Sequence, residues 1–286
     1  MKIIRYFFEF IIIKLLFFIF KLIGYKLSSA TGEFIGKSFG PIFRSKNKIL
    51  VNLEKSKVGN SNYERNKIIS NMWGNYGRIL SEYTFLNKFK NGTLNDHIKI
   101  NGLNNLDRII KEKKPVVFIS GHFNNFELMA MQIENYGVKV AAIYRPLNNF
   151  FLNGTMETIR KNHICKNQIK KGRSGTRKIL EEIKKGHSIA LMIDQRVSEG
   201  VSAKLFGRNC LTTTIPAQLV KKYNCDVVPV YVERKNNIYF DMYFYEPLKF
   251  NKDKSILDIT SELNEVLEKF ILKNPSQWIW SHDRWK

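Results

Sequence analysis

His122 and Glu127 stand five positions apart in the run Ser120-Gly121-His122-Phe123-Asn124-Asn125-Phe126-Glu127. An imidazole with a carboxylate on one ring nitrogen has a fixed tautomer, and its other nitrogen is free to act as a base. On one continuous helix the two side chains would lie ~140° apart and could not meet. The histidine must therefore sit on a loop. The flanking residues predict one: Val116 to Ile119 reads as a buried strand, Gly121 as a tight exit, and a helix opens near Asn124. That places His122 beyond the carboxyl end of a strand, where open α/β sheets carry their chemistry. A structural reading uses the same residues, since Asn124-x-x-Glu127 is also a capping box. The spacing alone is cheap in a chain with five His and 25 acidic residues.

Other residues are predicted at the same sheet edge. Arg145 follows the next strand in Tyr144-Arg145-Pro146-Leu147-Asn148-Asn149, and Arg160 falls near the end of the helix after it. An arginine there suits a phosphate or a developing oxyanion, or is simply solvated. Asp194 and Gln195 follow the strand 189–193, and an acid at that place is a site candidate or a turn residue. Residues 200–207, with Phe206, read as a loop over the crevice. His97, His163 and His187 lack partners at useful spacing and read as structural. The chain has no Gly-rich phosphate loop, no Gly-x-Ser-x-Gly elbow and no metal-ligand cluster. The expected chemistry uses a histidine base with no metal, no cofactor and no covalent nucleophile. The attacking group would be a hydroxyl of the substrate.

The elements that must hold these residues alternate. Strands are predicted at 115–120, 138–144, 163–169, 188–194 and 226–233, with helices at 125–136, 150–161, 175–185 and 215–223. Such alternation predicts an α/β fold with a mainly parallel sheet and helices on both faces. Asn236-Asn237 predicts a hairpin from 227–233 to 239–245, giving an antiparallel edge. Further helices are expected at 61–87, 103–113 and 255–272. In the first, Trp73, Tyr76, Leu80 and Tyr83 form a core-facing stripe. Arg78 and Glu82 lie four apart beside it and read as a surface ion pair.

The net charge of +22 over 286 residues points to an anionic partner. Residues 3–23 are almost wholly apolar and long enough to span a bilayer. Lys14 in their middle would cost about 2.5–3.5 kcal/mol, which the surrounding Ile, Leu and Phe can offset. A helix lying in the interface is the competing picture. A cleavable leader is disfavoured because Lys14 breaks the apolar run. Residues 1–24 are thus expected to be a membrane anchor and 25–286 one domain. The basic flank from Lys26 to Lys57 places that domain on the cytoplasmic side. Cys165, Cys210 and Cys225 fit a reducing compartment as three buried thiols.

Taken in order, these pieces resemble the lipid A biosynthesis acyltransferases (lauroyl/myristoyl transferases), relatives of the glycerolipid acyltransferases with a His-x4-acid motif. The matching parts are the apolar N-terminus, Gly77-Arg78…Glu82, residues 120–127, Tyr144-Arg145-Pro146…Asn149, Asp194-Gln195, Phe206-Gly207 and the closing 275–286. That last run, Pro-Ser-Gln-Trp-Ile-Trp-Ser-His-Asp-Arg-Trp-Lys, is the most specific. Ser276 and Asp283 stand where Glu and Arg are common. Asp194-Gln195-Arg196 lacks the second acid of many members.

The resemblance implies an enzyme of the bacterial inner membrane, with its catalytic domain on the cytoplasmic face. It would take a fatty acyl group from acyl carrier protein and esterify a hydroxyacyl chain of the Kdo-linked lipid A precursor. His122 would be the base, Glu127 would orient it, and Arg160 and Asp194 would support them. Arg145, Asn124 and Gln195 would bind substrate. The implied partners are the carrier-protein thioester, an anionic glycolipid and a membrane, with no nucleic acid. The alternatives are an acyl-CoA-dependent glycolipid or phospholipid acyltransferase, and a basic membrane protein that binds without turnover.

Overall fold

The computed structural model describes residues 2–286. In chain order the strands are β1 (Ile98–Asn101), β2 (Val117–Ser120), β3 (Val140–Tyr144), β4 (Asn167–Lys170), β5 (Ser188–Met192), β6 (Val201–Leu205), β7 (Arg208–Thr212), β8 (Val227–Lys235) and β9 (Tyr239–Phe244). All four residues of β2 are buried. Successive strand side chains point to opposite faces. Accordingly Val117 and Ile119 enter one apolar cluster, while Val116 and Phe118 enter another. The first cluster is closed by α10 (Ile215–Tyr223) and α11 (Ile256–Lys273), through Leu219, Leu263 and Leu267. The second is closed by α6 (Leu103–Glu112) and α7 (Glu127–Asn135), through Leu106, Ile109 and Leu128. Helices therefore cover both faces, as the alternating pattern predicted.

The seven-stranded sheet has the order β1-β9-β8-β2-β5-β3-β4. All its pairings are parallel except β8 with β9. That pair is the predicted hairpin, turning at Asn236 and Asn237 with φ of 44° and 70°. It is not the sheet edge, however. β1 pairs parallel to the far side of β9, Ile98 opposite Phe240, so the edges are β1 and β4. Four residues between turns are too short to show an alternating pattern, and β1 escaped the sequence reading. A second correction concerns residues 200–207. They do not form an open loop, because β6 and β7 make an antiparallel hairpin turning at Phe206 and Gly207. Its inner residues Ala203, Leu205 and Cys210 are buried. Asn264 and Glu268 of α11 bond to it, at Lys204 O and Phe206 N–H. All three cysteines are free and buried, and burial pushes the Cys165 and Cys225 thiols up to about 11.

Ahead of the sheet lie α1 (Lys2–Ile23), α2 (Tyr25–Phe43), α3 (Lys46–Lys55) and α4 (Asn62–Glu82). No helix among the described residues is long and apolar enough to cross a membrane. α1 instead docks on the domain. Phe17 and Phe20 are buried with Leu86 and Phe89 in the second cluster, and Asn149 Nδ2 donates to Tyr6 O at 2.8 Å. The opposite face exposes Ile4, Phe8, Ile12, Leu15, Phe18 and Leu22 at steps of three and four residues. α2 and α4 cross with their backbones in contact. Gly32 and Gly36 of α2 and Gly77 of α4 make this possible, since a Cβ on Gly32 would run into Gly77 O, one on Gly36 into Trp73 O and one on Gly77 into Gly32 O.

Arg78 and Glu82 do not form the expected surface pair. Both are buried, each with another partner: Arg78 Nη2 with Glu33, and Glu82 with Arg234. Arg234 is a two-pronged donor, with Nη1 on Oε1 and Nη2 on Oε2 at 3.0 Å. Its Nε donates to Asn75 Oδ1, and Asn125 Nδ2 donates to Glu82 Oε2 at 3.2 Å. A buried ion pair survives only with its remaining donors and acceptors satisfied, and this network joins α2, α4 and β8 to the loop after β2.

Candidate active site

The carboxyl ends of β2, β3 and β5 open into one cleft of about 390 Å³. His122, Arg145, Gln195, Glu127 and Arg160 line it, so five of the predicted residues converge. Asp194 lies behind His122 and is fully buried. Asn124 does not reach the cleft. It is fully buried, with a φ of 46°, and its Nδ2 donates to Val232 O and Gln277 Oε1. The side chain therefore shapes the loop from behind the cleft wall. Nor is it a cap: α7 starts at Glu127 with no side-chain cap bond.

Asp194, and not Glu127, holds the histidine. Asp194 Oδ1 lies 2.7 Å from His122 Nδ1, and Oδ2 accepts the His122 backbone N–H at 2.6 Å. Trp278 Nε1–H donates to the same Oδ2 at 2.9 Å. Gly121 makes room for this approach, because a Cβ there would sit 3.2 Å from Asp194 Oδ2 and 2.7 Å from the Phe123 ring. Burial works against a charge on Asp194, but the His122 ring and these N–H donors hold its carboxyl below the usual carboxylate range. With a proton on Nδ1 shared with that carboxylate, His122 Nε2 carries a lone pair toward the cleft. Gln195 Nε2 lies 3.5 Å away from it, and the Phe126 ring packs edge-on against the imidazole.

Glu127 serves a different group. Its Oε1 accepts from Arg160 Nε at 2.9 Å and from the Tyr83 hydroxyl. Arg160, on α8 (Phe150–His163), also donates from Nη2 to the Tyr83 hydroxyl Oη at 3.3 Å. Burial opposes the guanidinium's charge, but Glu127 and Tyr83 more than offset it, and its pKa is raised. Its Nη1 is buried and has no partner among the described residues. Tyr83 thus does more than fill the core stripe that its spacing predicts. Nearby, burial and then Arg145 push the Lys171 ammonium below its ordinary value. Two cations pressed together at a cleft rim suit an anionic group of a ligand. Apolar side chains, among them Met129, Ala130, Ala142, Ala190 and Met192, line the rest.

Sequence reasoning gave no position to the closing segment. It folds back under the cleft. Gln277 O accepts from the Asn124 backbone N–H at 3.2 Å, Trp278 holds Asp194, and His282 lines the cleft itself. Only the unusual Trp278-x-Trp280-x-His282-x-Arg284-Trp285 pattern signalled it.

The chain is similar to several known proteins. The "Lipid A biosynthesis palmitoleoyltransferase" of Escherichia coli K12 is 25% identical over 259 residues, 89% of this chain and 83% of its own. The "Lipid A biosynthesis acyltransferase" of Shigella flexneri matches to the same extent. Among solved structures, the 1-acyl-sn-glycerophosphate acyltransferase of Thermotoga maritima aligns over 89% of this chain and 99% of that one, at 11% identity and a TM-score of 0.44. The family model described as bacterial lipid A biosynthesis acyltransferase matches residues 1–286. With that match running from α1 through the His122 loop to the closing segment, the chain belongs to the bacterial lipid A biosynthesis acyltransferases.

Proposed function

We propose that the protein transfers a fatty acyl group from an acyl carrier protein thioester to a hydroxyl on an acyl chain of the Kdo-linked lipid A precursor. The observation that carries this reading is the His122–Asp194 pair at the cleft, which leaves Nε2 on the cleft side, with Arg160 lining the same cleft. His122 Nε2 takes the proton of the acceptor hydroxyl as its oxygen attacks the thioester carbonyl carbon. A C–O bond forms, and negative charge moves to the carbonyl oxygen, where Arg160 can hold it. As the C–S bond breaks, the departing sulfur takes the proton from the His122 imidazolium. The products are an ester and the carrier's free thiol. Arg145 and Lys171 at the rim support an anionic donor or acceptor, and the apolar lining supports an acyl chain.

The test is acyl transfer to the tetra-acylated, Kdo-linked precursor from lauroyl, myristoyl and palmitoleoyl carrier-protein thioesters, read by mass spectrometry. His122→Ala is expected to lower turnover at least about 10³-fold. Transfer from acyl-CoA alone would keep the chemistry and discard the donor. An active His122→Ala would discard the base.

The exposed stripe of α1 supports a site of action on the cytoplasmic face of the bacterial inner membrane. A docked helix with a charged flank lies in the interface and need not span it. Flotation with phosphatidylglycerol vesicles is expected to carry the wild-type protein. Phe8→Glu with Leu15→Glu and Phe18→Glu should reduce the bound fraction about tenfold or more. Unchanged flotation of the triple variant would remove α1 from the membrane contact.

A further inference from the structure

The loop after β5 addresses two histidines with three consecutive residues. Asp194 binds His122 Nδ1 at 2.7 Å. Gln195 Nε2 lies 3.5 Å from His122 Nε2. The Arg196 backbone N–H donates to His282 Nε2 at 3.0 Å. The two rings thus flank one short segment, and both line the cleft.

Which atoms of His282 are engaged decides what it can do. An Nε2 that accepts a hydrogen bond carries no proton, so the proton of the neutral ring is on Nδ1. No group among the described residues bonds to that Nδ1, whereas Nε2 is engaged, and Nδ1 is not among the sealed-off polar atoms. Burial pushes the ring's pKa down, and Arg284 and His122 add to that against the pull of Asp194. His282 is therefore neutral where His122 works as a base, and it presents one N–H donor that the fold does not use. A second neutral histidine cannot compete for the acceptor's proton through Nε2, which is occupied. It can only donate.

Resting on the acyl-transfer reading above, we infer that His282 is a further catalytic residue. Its Nδ1–H donates to the thioester carbonyl oxygen as charge develops there, from the wall formed by the β5 loop and the closing segment. Arg160 approaches from the wall formed by α7 and α8. A neutral imidazole donor suits this role because it strengthens as the oxyanion forms and does not hold the ground state as an ion pair would. The remaining surroundings are fixed. Arg196 Nε donates to Lys286 O at 2.9 Å, and Arg284 is tied to Leu211 O and Thr212 Oγ1, so the ring has a rigid seat.

The test uses two substitutions that divide the ring's two nitrogens. His282→Asn retains an amide N–H near the Nδ1 position and loses the acceptor for Arg196. His282→Gln retains an acceptor near Nε2 and loses the donor at the Nδ1 position. Steady-state transfer is measured with the full-length protein and whichever thioester the wild type uses. A donor to the oxyanion predicts that Gln lowers kcat about 10²-fold with little change in KM, and that Asn stays within about tenfold of wild type. If Gln retains more turnover than Asn, His282 merely caps the Arg196 N–H and the inference is overturned. A rise in KM at unchanged kcat in the Gln variant would likewise overturn it. Failure of the wild type to transfer from any thioester would overturn the acyl-transfer reading, and this inference with it.

Discussion

Asp194→Asn is expected to lower kcat about 10⁴-fold, with KM for the thioester nearly unchanged. The magnitude follows from the tautomer. Asp194 is fully buried and accepts from the His122 ring, the His122 backbone and Trp278. Asparagine fits the same space and can still accept from Trp278. Its amide then presents N–H to His122 Nδ1, which forces the ring proton onto Nε2. The nitrogen facing the cleft becomes a donor and can no longer take the acceptor's proton. Steady-state transfer by the purified variant checks this, with the thermal midpoint as a control for folding. Retention of more than about a tenth of wild-type turnover would show that Asp194 does not set the tautomer. Glu127 then becomes the candidate again, although in the structure it faces Arg160 and Tyr83.

The second large effect concerns stability. Glu82→Gln should destabilise the fold by about 3–5 kcal/mol, because it leaves Arg234 buried without its counter-charge. The carboxylate accepts from both Arg234 Nη atoms, from Asn125 Nδ2 and from Ser29 Oγ. A neutral amide cannot accept at both ends. Urea unfolding in detergent measures the loss through the shift in midpoint at constant slope. A loss below about 1 kcal/mol would mean that water reaches Arg234 and the network is not the keystone described. Asn125 belongs to the loop that carries His122, so turnover of the variant should fall even where it remains folded.

Much of the sheet was legible because its central strands are continuous buried apolar runs between helices with a clear stripe. Val117–Ser120, Ser188–Met192 and Ile215–Tyr223 need no tertiary information. The region of α2 and α3 was not legible. Glycines at 32, 36 and 40 lower helix propensity, and only the close crossing with α4 explains their presence. The first strand of the β6–β7 hairpin, bracketed by Gly200 and Gly207, looked like a loop for a similar reason. Within the site, strand-end logic found His122, Arg145, Asp194 and Gln195, because position at a sheet edge is a local property. Pairing is not local. Asp194 and Glu127 both offered a carboxylate, and only the fold shows that the one 72 residues away reaches Nδ1. Arg78 and Glu82 failed in the same manner: spacing suggested a pair, while each found a partner on another element.

The return of residues 275–286 to the cleft separates two events during synthesis. Every strand of the sheet is complete by Phe244, and His122, Asp194 and Arg160 are all translated before it. A chain stopped at 274 would thus hold the whole sheet and still lack Trp278 on Asp194, Gln277 on Asn124 and His282 at the cleft. Truncated or clipped products would keep the sheet yet be poor catalysts. On the ribosome, the growing polypeptide passes through a stage that carries α1 and a nearly formed domain but no finished active centre. Turnover waits for residues 275–286 to fold back against the cleft.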